Sequence, residues 1–386
     1  MLDSFALKAT DSPFSSVDHI TRLSIARVSL TCFRSYTDHV TKFLAAPVVI
    51  TGANGAGKTN LLEAISLLVP GRGLRRAELT DLQNRFHPSP WAVAIKLRNG
   101  DGELSIGTGR DASTENDGER RLVHIDGRSV RGRNTLADHV AMTWITPAMD
   151  RLLAEGASTR RKWFDRLAFS FDPAHGGRVT RYEKAMRERL KLLRDGVRDQ
   201  HWLSALENDM AQTAVAIAAA RRQLLNQLRG AVNETSGVFP RADLALRGIA
   251  EDLLDTTPAL LIEDRLRDAL AAARVEDAYS GTCSVGVHRT DLVVIHRAKN
   301  CPADLCSTGE QKALMIAIML AYIRTLIDAR AMTPIVLLDD IVAHLDDTRR
   351  KALFGEILVL GVQAWMTGTD TKDFASLLPD AQLVEM

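Results

Sequence analysis

The run Gly52-Ala53-Asn54-Gly55-Ala56-Gly57-Lys58-Thr59 carries the spacing G-x-x-x-x-G-K-[ST]. Its glycines let the backbone pass close to an anion, so that successive N–H groups can wrap a triphosphate. Lys58 is then expected on the β- and γ-phosphates, and the Thr59 hydroxyl on Mg²⁺. Much later in the chain an apolar run ends in Asp339-Asp340, and Ser307 and Gly309 stand directly ahead of an expected helix beginning near Glu310. A hydroxyl and an unhindered N–H at a helix start make a ready anion site.

These residues need elements to hold them. Val48-Val49-Ile50, after Pro47, reads as a short buried strand feeding the glycine loop. Leu61, Leu62, Ile65 and Leu68 form one helical stripe behind it, closed by Pro70-Gly71. Strand, loop and helix follow in the order that aims a helix N-terminus at phosphate, which a chance glycine-rich turn would lack. Ile335-Val336-Leu337-Leu338 suits a central parallel strand with a site at its carboxyl end. Residues 313–323 are an unbroken apolar run, too short to span a membrane, and are expected as a buried core helix.

The order of phosphate loop, long insertion, CSTGEQK at 306–312 and PIVLLDDIVAHLD at 334–346 resembles ABC-type ATPases. Over roughly residues 22 to 370 the chain is similar to the RecF family, recombination mediators related to the SMC chromosome ATPases. The stretches that carry this are LTCFRSYTDHV at 30–40, GANGAGKTNLLEAI at 52–65, WITPAMDRLLAEGASTRRKWFD at 144–165, GVHRTDLVV at 286–294 and STGEQKALMIAIMLA with LLDDIVAHLDDTRR. Thr367-Gly368-Thr369 stands where transporter ATPases place a switch histidine, Thr308 and Cys306 depart from the transporter signature, and His344 replaces an expected acid.

The resemblance implies ATP and Mg²⁺ as cofactors. Gly52, Ala53, Asn54, Gly55, Ala56, Gly57, Lys58, Thr59 and Asn60 would contact nucleotide in one subunit. Ser307, Gly309 and Asp346 would contact it from the other, so that ATP joins a homodimer. Asp339 would act on Mg²⁺ with Thr59, while Asp340, Lys58 and Ser307 would serve catalysis. Asp340 is one methylene shorter than the usual glutamate, so slow hydrolysis is expected. The implied role is ATP-dependent binding to single-stranded, gapped or duplex DNA in recombinational repair, with RecO and RecR assisting RecA, and links to replication and SOS induction. A transporter's nucleotide-binding subunit and an SMC-like chromosome-organising ATPase are the alternatives. The wide gap between the two motifs and the RRKWFD stretch oppose the first, and the short arm opposes the second.

With 386 residues, 46% hydrophobic and 25% charged, the chain can bury a large core in two lobes. Residues 1–20 read as a loose extension without secretory character. Cys32, Cys283, Cys301 and Cys306 lack paired zinc spacing and suit a reducing cytoplasm. Net charge is only +1, yet residues 151–198 hold thirteen Lys/Arg against six Asp/Glu. Arg72, Arg75 and Arg76, then Arg128, Arg131 and Arg133, then Arg160, Arg161 and Lys162 are candidate phosphate-backbone contacts. Helical spacing over 178–194, a break at Asp195-Gly196 and a second helix of about thirty residues predict a short arm. The expected architecture is α/β: an ABC-type P-loop ATPase head from residues 21–175 and 281–386, with a mainly helical arm lobe from 176–280.

Overall fold

The structure is a computed structural model describing residues 20–87, 89–100, 102–110, 121–130, 135–197, 199–234 and 237–386. The expected extension therefore lies, apart from its last residue, outside the described residues, as do Arg131 and Arg133.

Along the chain, β1 (Ser24–Phe33) and β2 (Tyr36–Lys42) form a hairpin, β3 (Val48–Thr51) enters the glycine loop, and α1 (Lys58–Ser66) leaves it. β4 (Ala92–Asn99), β5 (Gly102–Arg110), β6 (Arg121–Ile125) and β7 (Arg128–Ser129) complete an antiparallel sheet in the order β2-β1-β4-β5-β6-β7. Then come α2 (Thr135–His139), β8 (Met142–Ile145), α3 (Ala157–Phe171), α4 (His175–Arg194) and α5 (Gln200–Glu234). β9 (Ala242–Arg247), α6 (Ala259–Ala272), α7 (Arg274–Ser280), β10 (Asp291–His296) and β11 (Cys301–Pro302) lead to α8 (Thr308–Arg330). The chain closes with β12 (Ile335–Leu338), α9 (Asp347–Leu360), β13 (Ala364–Gly368) and β14 (Gln382–Glu385).

The site-bearing layer is a parallel sheet in the order β14-β3-β13-β12-β8. Its inner strands VVIT, AWMTG and IVLL, and the edge strand MTWI, are buried at every residue, as strands covered on both faces must be. Register is direct: Leu337 lies opposite Trp144 on one side and Trp365 on the other. The carboxyl ends therefore align, and the segments after β3, β8, β12 and β13 emerge together at one edge.

One face of this sheet packs with α1 against the antiparallel sheet through Leu61, Leu62, Ile65, Trp91 and Trp365. Against the other face lies α8. Its Ala313, Ile316, Ala317, Leu320 and Ile323 meet the sheet and α9, while Leu314, Met315, Ile318 and Tyr322 meet α3 and the end of α5. Burial on both sides explains why residues 313–323 show no polar stripe. No helix among the described residues is long and apolar enough to cross a membrane.

α4 and α5 form the arm, separated at Gly196, whose φ of +70° breaks the helix. Inside it, the fully buried Arg189 donates to Glu207 at 2.9 Å, Asp277 at 2.6 Å and the Leu270 carbonyl at 2.6 Å, cross-linking four segments. The second half of α5 leaves the arm's core and enters that of α3 and α8 through Leu224, Leu225, Leu228 and Val232. β9 pairs residue by residue with β10, from Arg247 opposite Asp291 to Ala242 opposite His296.

Candidate functional site

The glycine loop is shaped by its neighbours as well as by its own sequence. Gly57 caps α1 at φ +106°, and a Cβ there would stand 3.0 Å from Ser35 Oγ and 3.1 Å from Tyr36 Oη. Tyr36 donates to the Gly57 carbonyl at 3.1 Å, and burial pushes its hydroxyl up to about 12, so it stays a donor. Lys58 Nζ donates to the Gly52 and Ala53 carbonyls at 2.6 and 2.9 Å, which curls it over the loop. Asn60 donates to Ser35 at 2.9 Å and accepts from Arg75 at 3.0 Å. One turn on, the fully buried Glu63 takes both nitrogens of an Arg34 fork at 2.9 and 2.8 Å, fixing the helix against the β1–β2 turn.

The acidic strand end meets this loop. Asp339 Oδ1 accepts from Thr59 Oγ1 and from Thr367 Oγ1, each at 2.9 Å. Thr367 Oγ1 in turn accepts the Asp340 N–H at 2.7 Å, which holds Asp340 at φ +49°. Asn54, Lys58, Thr59, Asp339, Asp340 and Thr369 line one cleft of 220 Å³, with Arg75 and Pro147 at its sides. Because Thr59 donates its proton to Asp339, its lone pairs are left for a cation. Among the described residues no group of three or more His, Cys, Asp or Glu could hold a metal by itself. One hydroxyl and one nearby carboxylate fit Mg²⁺, which takes its remaining ligands from phosphates and water.

The second motif stands elsewhere. Ser307 caps α8 in a reciprocal box: Ser307 Oγ accepts from Glu310 N at 3.4 Å, and Glu310 accepts from Ser307 N at 3.1 Å. Lys299 and Ser307 hold the half-buried Glu310 carboxyl at about 2, so the box stays ionised. A Cβ on Gly309 would meet nothing within 4 Å, and its φ is not in the left-handed region. This chain's own packing thus gives no reason for a glycine in the first turn of a helix. Lys312, 3% exposed, ties α8 to the turn after β12 by donating to the Ala343 carbonyl at 2.7 Å. Asp346 caps α9 by accepting from Arg349 N at 2.8 Å. Ser307, Gly309 and Asp346 do not line the cleft that holds Lys58 and Asp339.

The basic candidates divide. Arg72 pairs with Glu78 at the surface, and Arg75 belongs to the cleft rim. Arg76, Arg128 and Lys162 are exposed. Arg160 forks onto Asp291 at 2.9 and 2.8 Å, and Arg161 donates to the Thr290 carbonyl at 2.8 Å. RRKWFD therefore grips GVHRTDLVV. The same stretch supplies Asp165, which accepts from Arg221 at 2.7 and 2.9 Å and faces His175 Nε2 at 2.9 Å. Arg221 also reaches Glu251 at 3.0 Å and the Val287 carbonyl at 2.8 Å. Burial works to raise the Asp165 carboxyl, but the bonds from His175 and Arg221 outweigh it and hold it at about 2.

Sequence reasoning missed the double role of Thr367, the Tyr36 brace, and the place of Arg75 on the cleft. Thr367 alone carried a signal, as the hydroxyl ending the apolar strand beside the acidic one.

The parallel sheet, the loop–strand site and the separate helix cap define the ATPase head class shared by ABC and SMC proteins. Residues 24–365 match the RecF/RecN/SMC N terminal domain. The chain is 46% identical over 362 residues to the DNA replication and repair protein RecF of Mesorhizobium japonicum, covering 93% of this chain and 95% of that one. It is 45% identical over 374 residues to that of Brucella suis, covering 95% and 96%. In fold it is similar to the recombination mediator protein RecF-ATPrS of the RecFOR pathway, with TM-score 0.81, 22% identity and coverage of 92% and 95%. It is also similar to a Pyrococcus furiosus Smc head domain, with TM-score 0.51, 18% identity and coverage of 94% and 93%. The chain belongs to the RecF family of DNA replication and repair proteins.

Proposed function

We propose that this chain is an ATP-operated DNA-binding switch of recombinational repair, closing as a dimer around two ATP molecules. The observation that carries the reading is the division of the site: Lys58, Thr59, Asp339 and Asp340 line one cleft, while Ser307 and Gly309 stand outside it. A second copy is the natural source of the missing half. The open space before Gly309 leaves room for its close approach.

Magnesium-bound ATP supplies a terminal phosphate bond open to attack by water. Lys58 exchanges the Gly52 and Ala53 carbonyls for phosphate oxygens, and the loop N–H groups hold the remainder. Thr59 and Asp339 would hold the cation, the latter oriented by Thr367. Asp340, at the cleft mouth, orients water and takes its proton; its short reach makes turnover slow. The first-turn N–H groups behind Ser307, together with Asp346, close the site from the other subunit.

Closure joins the exposed Arg72, Arg76, Arg128 and Lys162 of two copies into one phosphate-directed track for gapped, single-stranded or duplex DNA. RecO and RecR would then act with it ahead of RecA. Light scattering tests the core of the reading. ATP should convert the chain to a dimer, and Ser307→Arg should abolish that dimer while leaving ATP binding nearly intact. A Ser307→Arg dimer as tight as wild type overturns the two-subunit site.

A further inference from the structure

Three cations stand apart from the ion pairs described above. Among the described residues, Arg76, Lys162 and Arg166 have no carboxylate partner. All three line both a cleft of 860 Å³ and an adjoining one of 580 Å³. The larger cleft lies between the segment after α1, the α2–β8 turn and the α3–α4 corner and shares no lining residue with the 220 Å³ cleft, whereas the adjoining 580 Å³ cleft shares Arg75, Pro147 and Asp339 with it.

Arg166 is the most informative of the three. It projects from α3 over the Trp144 ring, and burial pulls its guanidinium down to about 9, with Arg76 pushing the same way. A desolvated cation beside another cation is costly unless an anion joins them. The one carboxylate lining the larger cleft, Asp165, is already engaged by Arg221 and His175. His175 lines the same cleft, is fully buried, and leaves its Nδ1 without a partner. A polar guest, or a water bridging to it, would satisfy that atom. Phe169 and Val179 offer an apolar wall beside the charges. The volume falls in the roughly 300–1,000 Å³ range of small-ligand sites, which suits a nucleotide-sized guest rather than a double helix.

We propose that this cleft is a second anion site, holding a phosphate group against Arg76, Lys162 and Arg166 independently of the glycine loop. The phosphate is either free, as in a small phosphorylated molecule, or one unit of an unpaired DNA strand threaded past the head.

The test uses the full chain carrying Lys58→Ala, so that neither the glycine loop nor the ATP reading decides the result. Thermal melts are followed against sodium pyrophosphate and against a short oligothymidylate. At least one probe should raise the melting temperature in a saturable way. Arg166→Met should then need about tenfold more of that probe for the same shift, as expected for loss of a charge-assisted bond. Without any probe, Arg166→Met should melt only slightly below its parent, since it loses the contact with the Trp144 ring but no ion pair. Should Arg166→Met misfold, the exposed pair Arg76→Ala with Lys162→Ala carries the same comparison. Stabilisation by pyrophosphate alone assigns the phosphate to a free ligand, and stabilisation by oligothymidylate alone assigns it to DNA. No stabilisation by either probe, or equal midpoints in parent and variants, overturns the site.

Discussion

The phosphate cleft and the RRKWFD joint are built from the same residue types and put them to opposite use. In the cleft, Lys58 is held by two backbone carbonyls of its own loop, and Asp340 faces solvent. Such contacts are easily exchanged for those of a guest. In the joint, Arg221 is 2% exposed and bonds Asp165, Glu251 and a backbone carbonyl at once. Arg160, Arg161 and Arg221 there each have a fixed acceptor from another segment. Two conspicuous motifs thus divide labour: one keeps its charges available for chemistry, and the other commits them to joining head and arm.

The contrast can be broken from either side. Arg221→Met should strip the joint of its centre and leave Asp165 and Glu251 buried without their cation. A loss of about 3–5 kcal/mol in urea unfolding is expected. The same variant should lose an acid limb. Asp165 sits at about 2 in the folded chain against an ordinary 3.8, so its contribution is full above 3.8 and disappears as pH falls through 2. Stability against pH in that window should slope in the parent and flatten in Arg221→Met. A variant as stable as the parent would show that the joint is not a structural centre.

Lys58→Ala should do the reverse. Its loss should change unfolding by no more than about 1 kcal/mol, since the two carbonyls it leaves can turn to water. ATP affinity should fall by about ten- to a hundredfold, the worth of a charge-assisted contact. Calorimetric titration with ATP beside a urea melt separates the two effects. Asp340→Asn belongs to the same side: binding should persist, hydrolysis should fail, and the dimer should accumulate.

Gly309→Ala is the smallest and sharpest case. Alanine in a helix turn should stabilise the isolated chain by about 0.5–1 kcal/mol. The added methyl should nonetheless weaken the ATP dimer if another copy approaches there. A stabilised chain with an unchanged dimer would deny Gly309 its place at the seam.

How much of this could be read from sequence depended on how many uses a pattern has. Val48–Thr51 and Ile335–Leu338 were legible because short, fully apolar runs beside turn residues are poor at anything but buried strands. α8 was legible as a core helix for a similar reason. The bond from Thr367 to Asp339 was not, since it depends on the register of β13 against β12. Nor does RRK reveal that Arg160 and Arg161 turn inward while Lys162 turns out. That division is set by the helical phase at which α3 meets β10, which a triplet of like charges does not encode. The place of β9 was hidden too, because its partner strand lies beyond two further helices.

One further consequence follows from α5. Its 35 residues form a single helix, rooted at one end in the core of α3 and α8 and carrying the arm at the other. At 1.5 Å per residue it is a stiff rod roughly 50 Å long. A tilt of about 5° at the root near Leu224 moves the tip at Gln200 by roughly 3 Å over the free part of that length. Any repacking against Tyr322 or Leu326 would thereby be magnified along α5 toward the tip of the arm.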